Sequence, residues 1–488
     1  MNVGLNAPDT PPPARRRSFS MQVAWTLLVR VLMAANSIAA GIIVARWLGA
    51  AGLGTLAVLN VTVAMATNIG SMGLPSANTY FIAQDRRRLR TVALNALVFA
   101  LVAGSALAAA LVVLVRFEAD IFGEIPLSLF ALAAISIPFQ LITLLGLNIF
   151  LAVGHIERFN LLDVAGQSFV LVNALVALVV LQRGLWALVS LNTTAAVGMS
   201  LLVAWLVGRY VSQQTEEAQS ETAHGAVAQR SDRRARAETT KQASAQGGTK
   251  RRETGRGWRL SAALFRQMMN YGLKIHLQTV ASLLLFRVDL LIVKLFRGAA
   301  EAGVYSVASQ VALMLMLLPG VIATLLFPRV AEQQDERGAL AARVTRHAAF
   351  VMLLICAAAV PAVFALPWLY GAAFAEASLQ SLILLPGVFL VSVGGVLAQH
   401  FSGTGLPIAL PLFWTATLLF NTALNLALVP AHGARGAAFA SSLSYSLIFA
   451  LIAFYFRAQT GNSFRTSFLL RGAELREMLS LKRLGLFS

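Results

Sequence analysis

The chain has 488 residues, of which 58% are hydrophobic and only 12% charged, and it carries a formal charge of +18 with a mean hydropathy of +0.72. A soluble domain keeps about a quarter of its residues charged, so this chain cannot cover a water-facing surface and must take lipid as its solvent. In a soluble protein such a charge would suit nucleic acid, but here the basic residues cluster at the ends of apolar segments; membrane orientation accounts for them, and no nucleic-acid partner is expected.

A helix spans a bilayer with about 20 apolar residues. Twelve such stretches are predicted, near 21–45, 55–81, 91–115, 126–152, 161–180, 185–208, 268–296, 304–328, 344–368, 378–401, 408–429 and 434–456. The short alternating segments of a transmembrane barrel do not occur. The first stretch follows Arg15, Arg16 and Arg17 like a signal peptide, but it is too long and lacks a small-residue cleavage site, so it is expected to remain as a span. Arg86, Arg87, Arg88 and Arg90 follow the second span, and the most basic stretch, 209–259, follows the sixth. Arg329, Arg337, Arg343 and Arg346 follow the eighth, and 457–483 follows the twelfth. The intervening loops are short and hold Glu118, Asp120, Glu124 and Glu376. By the positive-inside rule both termini and the central segment are expected in the cytoplasm. The expected organisation is a tail (1–20), a six-helix lobe (21–211), a disordered basic linker (212–260) rich in Gln, Thr, Ala, Gly and Arg, a second six-helix lobe (261–456) and a basic tail (457–488). Cys356 is the single cysteine, so no intramolecular disulfide can form, and no His or Cys spacing suits a metal.

The chain resembles itself at an offset of 249 residues. Gly49 falls on Gly298, Gly54 on Gly303, Gly146 on Gly395, Gly154 on Gly403 and Gly184 on Gly433. These matches stand at the same span boundaries in each half. With six spans per half, both halves enter and leave on one side, so the repeats are parallel, an arrangement that places a site between two bundles.

Charges in mid-span cost roughly 2.5–3.5 kcal/mol each even on the gentlest scale and mark function. Arg30 lies in the first span, on a stripe with Gln22, Thr26, Ser37 and Gly41 at 100° per residue. The second span has Asn60, Thr67, Ser71 and Asn78 on one face, a pattern that also serves helix packing. In the seventh, Lys274, Gln278, Ser282 and Asp289 share a face opposite His276 and Arg287. Lys274 either faces the interior or extends to the interface; Arg287 and Asp289 either pair or lie near the outer interface. Asp163 begins the fifth span and is expected at the interface. The candidate substrate contacts are Arg30, Lys274, Arg287, Asp289, Gln278, Asn60 and Ser71, and the candidate hinges Gly49, Gly54, Gly298, Gly303, Gly433 and Gly436. No P-loop occurs, so no cofactor is expected; energy would come from an H+ or Na+ gradient, the substrate gradient or a separate protein.

The segments "ARWLGAAGLGTLAV", "RVDLLIVKLFRGAAEAGVYSVASQ", "FPRVAEQ" and "NLALVPAHGARGAAFASSLSYSL" resemble the Wzx-type polysaccharide flippases of the MOP superfamily. Arg46, Gly49, Gly54, Asp289, Gly303, Tyr305, Asn425, Pro430, Gly433 and Gly436 match motif positions, whereas the long linker is not a usual part of the pattern. The resemblance implies an all-α polytopic membrane protein, a V-shaped two-lobe transporter of the bacterial inner membrane. It also implies a lipid-linked oligosaccharide as substrate, turned from the inner to the outer leaflet, and a polymerase and glycosyltransferases as pathway partners. Two rivals are weighed. A multidrug exporter of the same superfamily should carry carboxylates deep in the N-terminal bundle, and none is expected there. A membrane glycosyltransferase, polymerase or ligase needs a sizeable outer loop, and the outer loops are too short, so no enzymatic activity is expected.

This topology predicts that reporter fusions after Gly123 and Gly371 read periplasmic and those after Arg88 and Gly248 cytoplasmic; a periplasmic reading at Gly248 would break the two-lobe arrangement.

Overall fold

The computed structural model describes residues 19–117, 125–237, 260–320, 322–323, 338–403 and 407–470. Every regular element among them is helical. The first half contains α1 (Phe19–Gly70), α2 (Leu74–Gln84), α3 (Leu89–Phe117), α4 (Leu127–Ala134), α5 (Ser136–Ala152), α6 (Ile156–Ala174) and α7 (Leu185–Ala237), with a π-helical segment, Leu175–Val180, extending α6. The second half contains α8 (Ala262–Leu285), α9 (Val288–Leu315), α10 (Ala339–Ala362), α11 (Leu366–Tyr370), α12 (Ala375–Gly403), α13 (Ala409–Thr460) and the short α14 (Phe464–Phe468).

At 1.5 Å per residue the 52 residues of α1 would be about 78 Å long, more than twice the hydrocarbon core. The helix is therefore two passes, and the chain reverses at Gly49, whose φ of 67° and ψ of −174° suit a residue without a Cβ. Gly298 breaks α9 in the same way, with φ 83° and ψ 177°. The offset of 249 residues thus relates two hinges of the same shape. Gly433, with φ 59° and ψ −144°, breaks α13. Among the described residues, eight helical stretches are long and apolar enough to cross a membrane. Two of them, Leu28–Gly70 and Ala409–Thr460, cross twice about their glycine breaks. Counting one pass on each side of Gly298 for α8 and α9, the described residues accommodate twelve.

Three expectations change. The helix of the sixth pass does not stop before 212 but runs on to Ala237, through a stretch of Ala, Gln, Glu and Arg, all strong helix formers; the rest of the expected linker, 238–259, lies outside the described residues. The seventh pass is interrupted, because α8 ends at Leu285 and α9 starts at Val288, with Arg287 as its N-cap at φ −135° and ψ −25°. Counting 100° per residue from Lys274 to Asp289 therefore crosses a break and assigns the wrong face. Of the six candidate hinges, only Gly49, Gly298 and Gly433 bend the chain; Gly54, Gly303 and Gly436 are points of close approach.

Buried apolar side chains form two main clusters. One is built chiefly from residues 40–211, the other chiefly from 281–456. The lobes they define meet at two levels. Near the hinges, a methyl on Gly54 would lie 1.8 Å from the carbonyl oxygen of Ala299, and one on Gly303 would lie 2.0 Å from that of Ala50. Farther along, one on Gly73 would lie 2.2 Å from the Gly272 carbonyl oxygen. There the rings of Tyr80 and Tyr271 stack at 4.3 Å, and Nε2 of His276 hydrogen-bonds the Ile69 carbonyl at 3.0 Å. Gly54 and Gly73 are 19 residues apart, about 28 Å by helix rise, close to the thickness of the hydrocarbon core.

Gly303→Ala should force backbone apart at a cost of about 1–3 kcal/mol. Gly198→Ala, where a methyl meets nothing within 4 Å, should be neutral or stabilising by about 1 kcal/mol. Thermal unfolding of the two variants in detergent should separate them by several degrees, with Gly303→Ala the lower.

Candidate functional site

Between the two levels of contact lie two adjoining cavities of about 430 and 630 Å³, each within the range that holds a drug-sized ligand. The smaller runs between the first pass and the eighth. Its wall includes Arg30, Ser37 and Gly41 on one side and Ser306, Ser309 and Gln310 on the other. The larger opens into the first lobe, among Asn68, Gln140, Thr143, Asp163, Asn173 and Thr193. Ser37, Asn60, Gln167, Asn192 and Arg287 belong to both walls, so they stand where the cavities join.

Two of these residues are placed by hinge geometry. Arg287 precedes Gly298 by 11 residues and Asn60 follows Gly49 by 11, so each lies about 16 Å from its hinge along the helix. The two hinges are adjacent through the Gly54 and Gly303 contact, which brings Arg287 and Asn60 to one depth. Gln167 lies 11 residues into α6, also near mid-membrane.

The charges on the wall are not equivalent. Nη1 of Arg30 donates to Oδ2 of Asp163 at 3.1 Å, with side chains 34% and 24% exposed; Arg30 lines the smaller cavity and Asp163 the larger. Asp163 is therefore not interfacial, and Arg30 is not the lone cation its sequence stripe suggested. The pair ties the first pass to α6, as does Asn36, whose Nδ2 donates to Ser168 Oγ at 3.0 Å. The guanidinium of Arg287 forms no hydrogen bond or close ion pair with any described residue, and the carboxylate of Asp289 acts on it only through its field. Among the amides, Asn173 donates to Asn192 at 2.9 Å, Gln140 to Ser136 at 2.9 Å and Asn68 to the Ala64 carbonyl at 2.9 Å. Gln310 Nε2 bridges the lobes by donating to Ser37 Oγ at 2.8 Å. Asn60 and Gln167 hydrogen-bond no described residue.

The remaining candidates from the sequence fall elsewhere. Asp289 does not face the cavity but is buried within the second lobe. Its Oδ2 accepts from Tyr305 Oη at 2.5 Å and from Ser441 Oγ at 2.9 Å, and its Oδ1 accepts from the Leu290 backbone N–H. Asn421 donates to Ser441 and Ser444 beside it, and Asn425 to Asn421, so the motif residues Asp289, Tyr305 and Asn425 belong to one buried network. Ser71 sits at the break between α1 and α2 and donates to the Asn68 carbonyl at 2.8 Å, off the wall. Gln278 is also off both walls, its Oε1 buried without a partner among the described residues. The side chains of Lys274, Gln22 and Thr26 lie outside the described residues. Asp163, Gln167, Asn192 and Gln310 were not picked out as site residues. The signal for the first two was present: Asp163 and Gln167 are four apart in the fifth span and share a helical face.

Away from the cavity, Arg46 closes the hinge end. Its Nε and Nη2 donate to the carbonyls of Leu369 and Trp368 at 2.7 and 2.5 Å, linking the first lobe to α11 of the second. In the second lobe, Glu301 takes a hydrogen bond from Arg297 at 3.0 Å and from the Ala434 N–H at 2.7 Å, bracing the Gly298 hinge against the Gly433 hinge.

If Arg30 and Asp163 act as a pair, Arg30→Met and Asp163→Leu should each lower thermal stability, because each leaves one charge on a wall without its partner. The double variant should lose less than the sum, with a coupling energy of about 0.5–3 kcal/mol in a double-mutant cycle. Strict additivity would mean that the contact carries no energy.

Residues 252–379 match the family described as "Polysaccharide biosynthesis protein", and no curated protein matches the chain. Among solved structures, a multidrug resistance MATE family transporter of the MOP superfamily in an inward-facing conformation aligns over 89% of this chain and 98% of its own, with a TM-score of 0.66 and 14% identity. The lipid II flippase MurJ in an inward closed conformation aligns over 90% of this chain and 87% of its own, with a TM-score of 0.64 and 12% identity. A MOP superfamily transporter from Pyrococcus furiosus, described as having a binding pocket of reversed polarity that suggests a different function, aligns over 90% of this chain and 95% of its own, with a TM-score of 0.56 and 14% identity. The chain is a multi-pass membrane protein with the two-lobe fold of the MOP superfamily transporters, and its polysaccharide-biosynthesis match reaches from residue 252 into the second lobe.

Proposed function

We propose that this chain is a flippase that carries a polyprenyl-diphosphate-linked oligosaccharide from the inner to the outer leaflet of the bacterial cytoplasmic membrane, for assembly of a surface polysaccharide such as an exopolysaccharide, capsule or O-antigen. The observation that carries the reading is Arg287, a guanidinium on the wall of a cavity between two lobes that no described residue hydrogen-bonds. A diphosphate cannot enter hydrocarbon uncompensated, and an arginine meets phosphate oxygens with a planar fork of donors. The amide-rich wall beside it suits sugar hydroxyls, the polyprenyl chain stays in lipid, and the polysaccharide-biosynthesis match of residues 252–379 agrees with such a passenger. The chain acts by alternating access, exposing the cavity first to the cytoplasm and then to the periplasm, with both termini cytoplasmic. It carries no catalytic residue, takes its energy from an H+ or Na+ gradient or from the substrate gradient, and works beside the glycosyltransferases and the polymerase of its pathway.

One observation favours a second reading. Asp163 places a carboxylate on the cavity wall of the first lobe, where a cation exporter would need one. Its pairing with Arg30 leaves that wall without net negative charge, which favours the flippase.

In proteoliposomes, the chain should move a polyprenyl-diphosphate oligosaccharide between leaflets, and Arg287→Ala should slow this by at least about tenfold with insertion unchanged, while Arg287→Lys keeps part of the rate. Transport of a lipophilic cation such as tetraphenylphosphonium, with none of the lipid-linked glycan, would replace the flippase with the exporter.

A further inference from the structure

The two lobes contribute unequally to the larger cavity. All of its wall comes from residues 37–199 of the first lobe except one side chain, that of Arg287. The first lobe supplies amides, hydroxyls and the carboxylate of Asp163, which is held by Arg30 from the wall of the smaller cavity. The second supplies one guanidinium, which no described residue hydrogen-bonds and which shares the field of the buried Asp289 two residues on. From this division we infer that the glycan carried is uncharged and docks on the first lobe, through Asn60 and Gln167, while Arg287 alone of the second lobe holds the diphosphate. The inference rests on the flippase reading and adds to it the chemical class of the passenger.

The hydrogen bonds within the wall separate the amides that can serve a ligand from those that cannot. Asn173, Asn192, Gln140 and Asn68 are engaged with one another or with neighbouring groups. Asn60 and Gln167 are not, and both line both cavities next to Arg287. Each free amide offers two N–H donors and a carbonyl acceptor. A sugar hydroxyl both donates and accepts, so adjacent hydroxyls on a neutral ring fit such a group without any ion.

Charge then excludes the alternative passenger. A diphosphate diester carries two negative charges, and Arg287 offsets one. A uronic acid in the glycan would add a third negative charge to the same space. No second free cation waits for it on the described wall: Asp163 there is a carboxylate, and the cation beside it, Arg30, is already committed to that carboxylate. An unpaired charge facing a like charge is the kind of repulsion that sets specificity, and the low-dielectric surroundings amplify it. A cavity built for acidic glycans would carry cations on the sugar wall, where this one carries amides.

The test uses the full chain in lipid nanodiscs and three ligands on one polyprenyl chain: the bare diphosphate, the diphosphate with a neutral trisaccharide, and the diphosphate with a trisaccharide containing one glucuronate. The neutral glycolipid should bind at least about tenfold more tightly than the glucuronate one. Asn60→Leu and Gln167→Leu should each weaken the neutral glycolipid about fivefold or more and leave the bare diphosphate lipid unchanged, which also reports that the variants are folded. Arg287→Ala should weaken all three ligands alike. Equal or tighter binding of the glucuronate glycolipid would overturn the charge rule. Amide variants that bind the neutral glycolipid normally, or that lose the bare lipid equally, would overturn the docking site. Failure of all three lipids to bind would overturn the flippase reading and this inference with it.

Discussion

Gly54 and Gly303 let the two lobes touch backbone to backbone, and the shared depth of Asn60 and Arg287 in the cavity follows from that contact. Each glycine faces a carbonyl of the other half at a distance that no side chain could occupy. The glycines lie five residues past Gly49 and Gly298, the two hinges where the paired passes reverse. Holding the hinges together fixes the depth of whatever follows or precedes them, and so Asn60 and Arg287 arrive at one level. A chain made of two similar halves obtains this register by repeating one short sequence. The repeated Gly-Ala-Ala-x-x-Gly is therefore a single interface written twice.

Charge placement inside the membrane then separates structural groups from groups held ready for a ligand. Arg30 and Asp163 satisfy one another across two passes of the first lobe. Asp289 is satisfied by Tyr305, Ser441 and the Leu290 N–H inside the second. Arg287 is hydrogen-bonded in neither arrangement and feels Asp289 only through its field. A guanidinium in mid-membrane costs roughly 2.5–3.5 kcal/mol even on the gentlest scale, a cost that a polar cavity lowers and a bound anion offsets. The break between Leu285 and Val288 lets neighbouring charges take such different settings: it turns Asp289 into the bundle and leaves Arg287 on the wall.

The spans and hinges were legible because the bilayer imposes them. A 30 Å core demands about 20 apolar residues per pass, and a reversal within a long apolar run demands glycine, so the passes and Gly49, Gly298 and Gly433 could be read from composition and repeat. The site was legible only where a helix is regular. The stripe through Arg30, Ser37 and Gly41 does line the cavity. Asp289 was misplaced because the seventh pass breaks ahead of it, and no proline or glycine in "LLLFRVDLL" announces that break. Asp163 was misread because its depth depends on where α6 begins, at Ile156 rather than near Leu161, and its partner is 133 residues away. Helix propensity in 212–237 was outweighed in the reading by low hydropathy, although Ala, Glu, Gln and Arg favour a helix without any core.

The central claim is that a passenger crosses between the lobes, which requires the contact of Gly73 with Gly272 to open while that of Gly54 with Gly303 holds, and then the reverse. Tyr80 and Tyr271 stack beside the first of these contacts, and the single native cysteine, Cys356, is buried and in no disulfide. In a Cys356→Ser background, the pair Tyr80→Cys and Tyr271→Cys should be joined by a short bifunctional thiosulfonate, and transfer of a polyprenyl-diphosphate oligosaccharide followed in proteoliposomes before and after reduction. Arrest on cross-linking and recovery on reduction are expected. Transfer at an undiminished rate by fully cross-linked protein would contradict passage between the lobes.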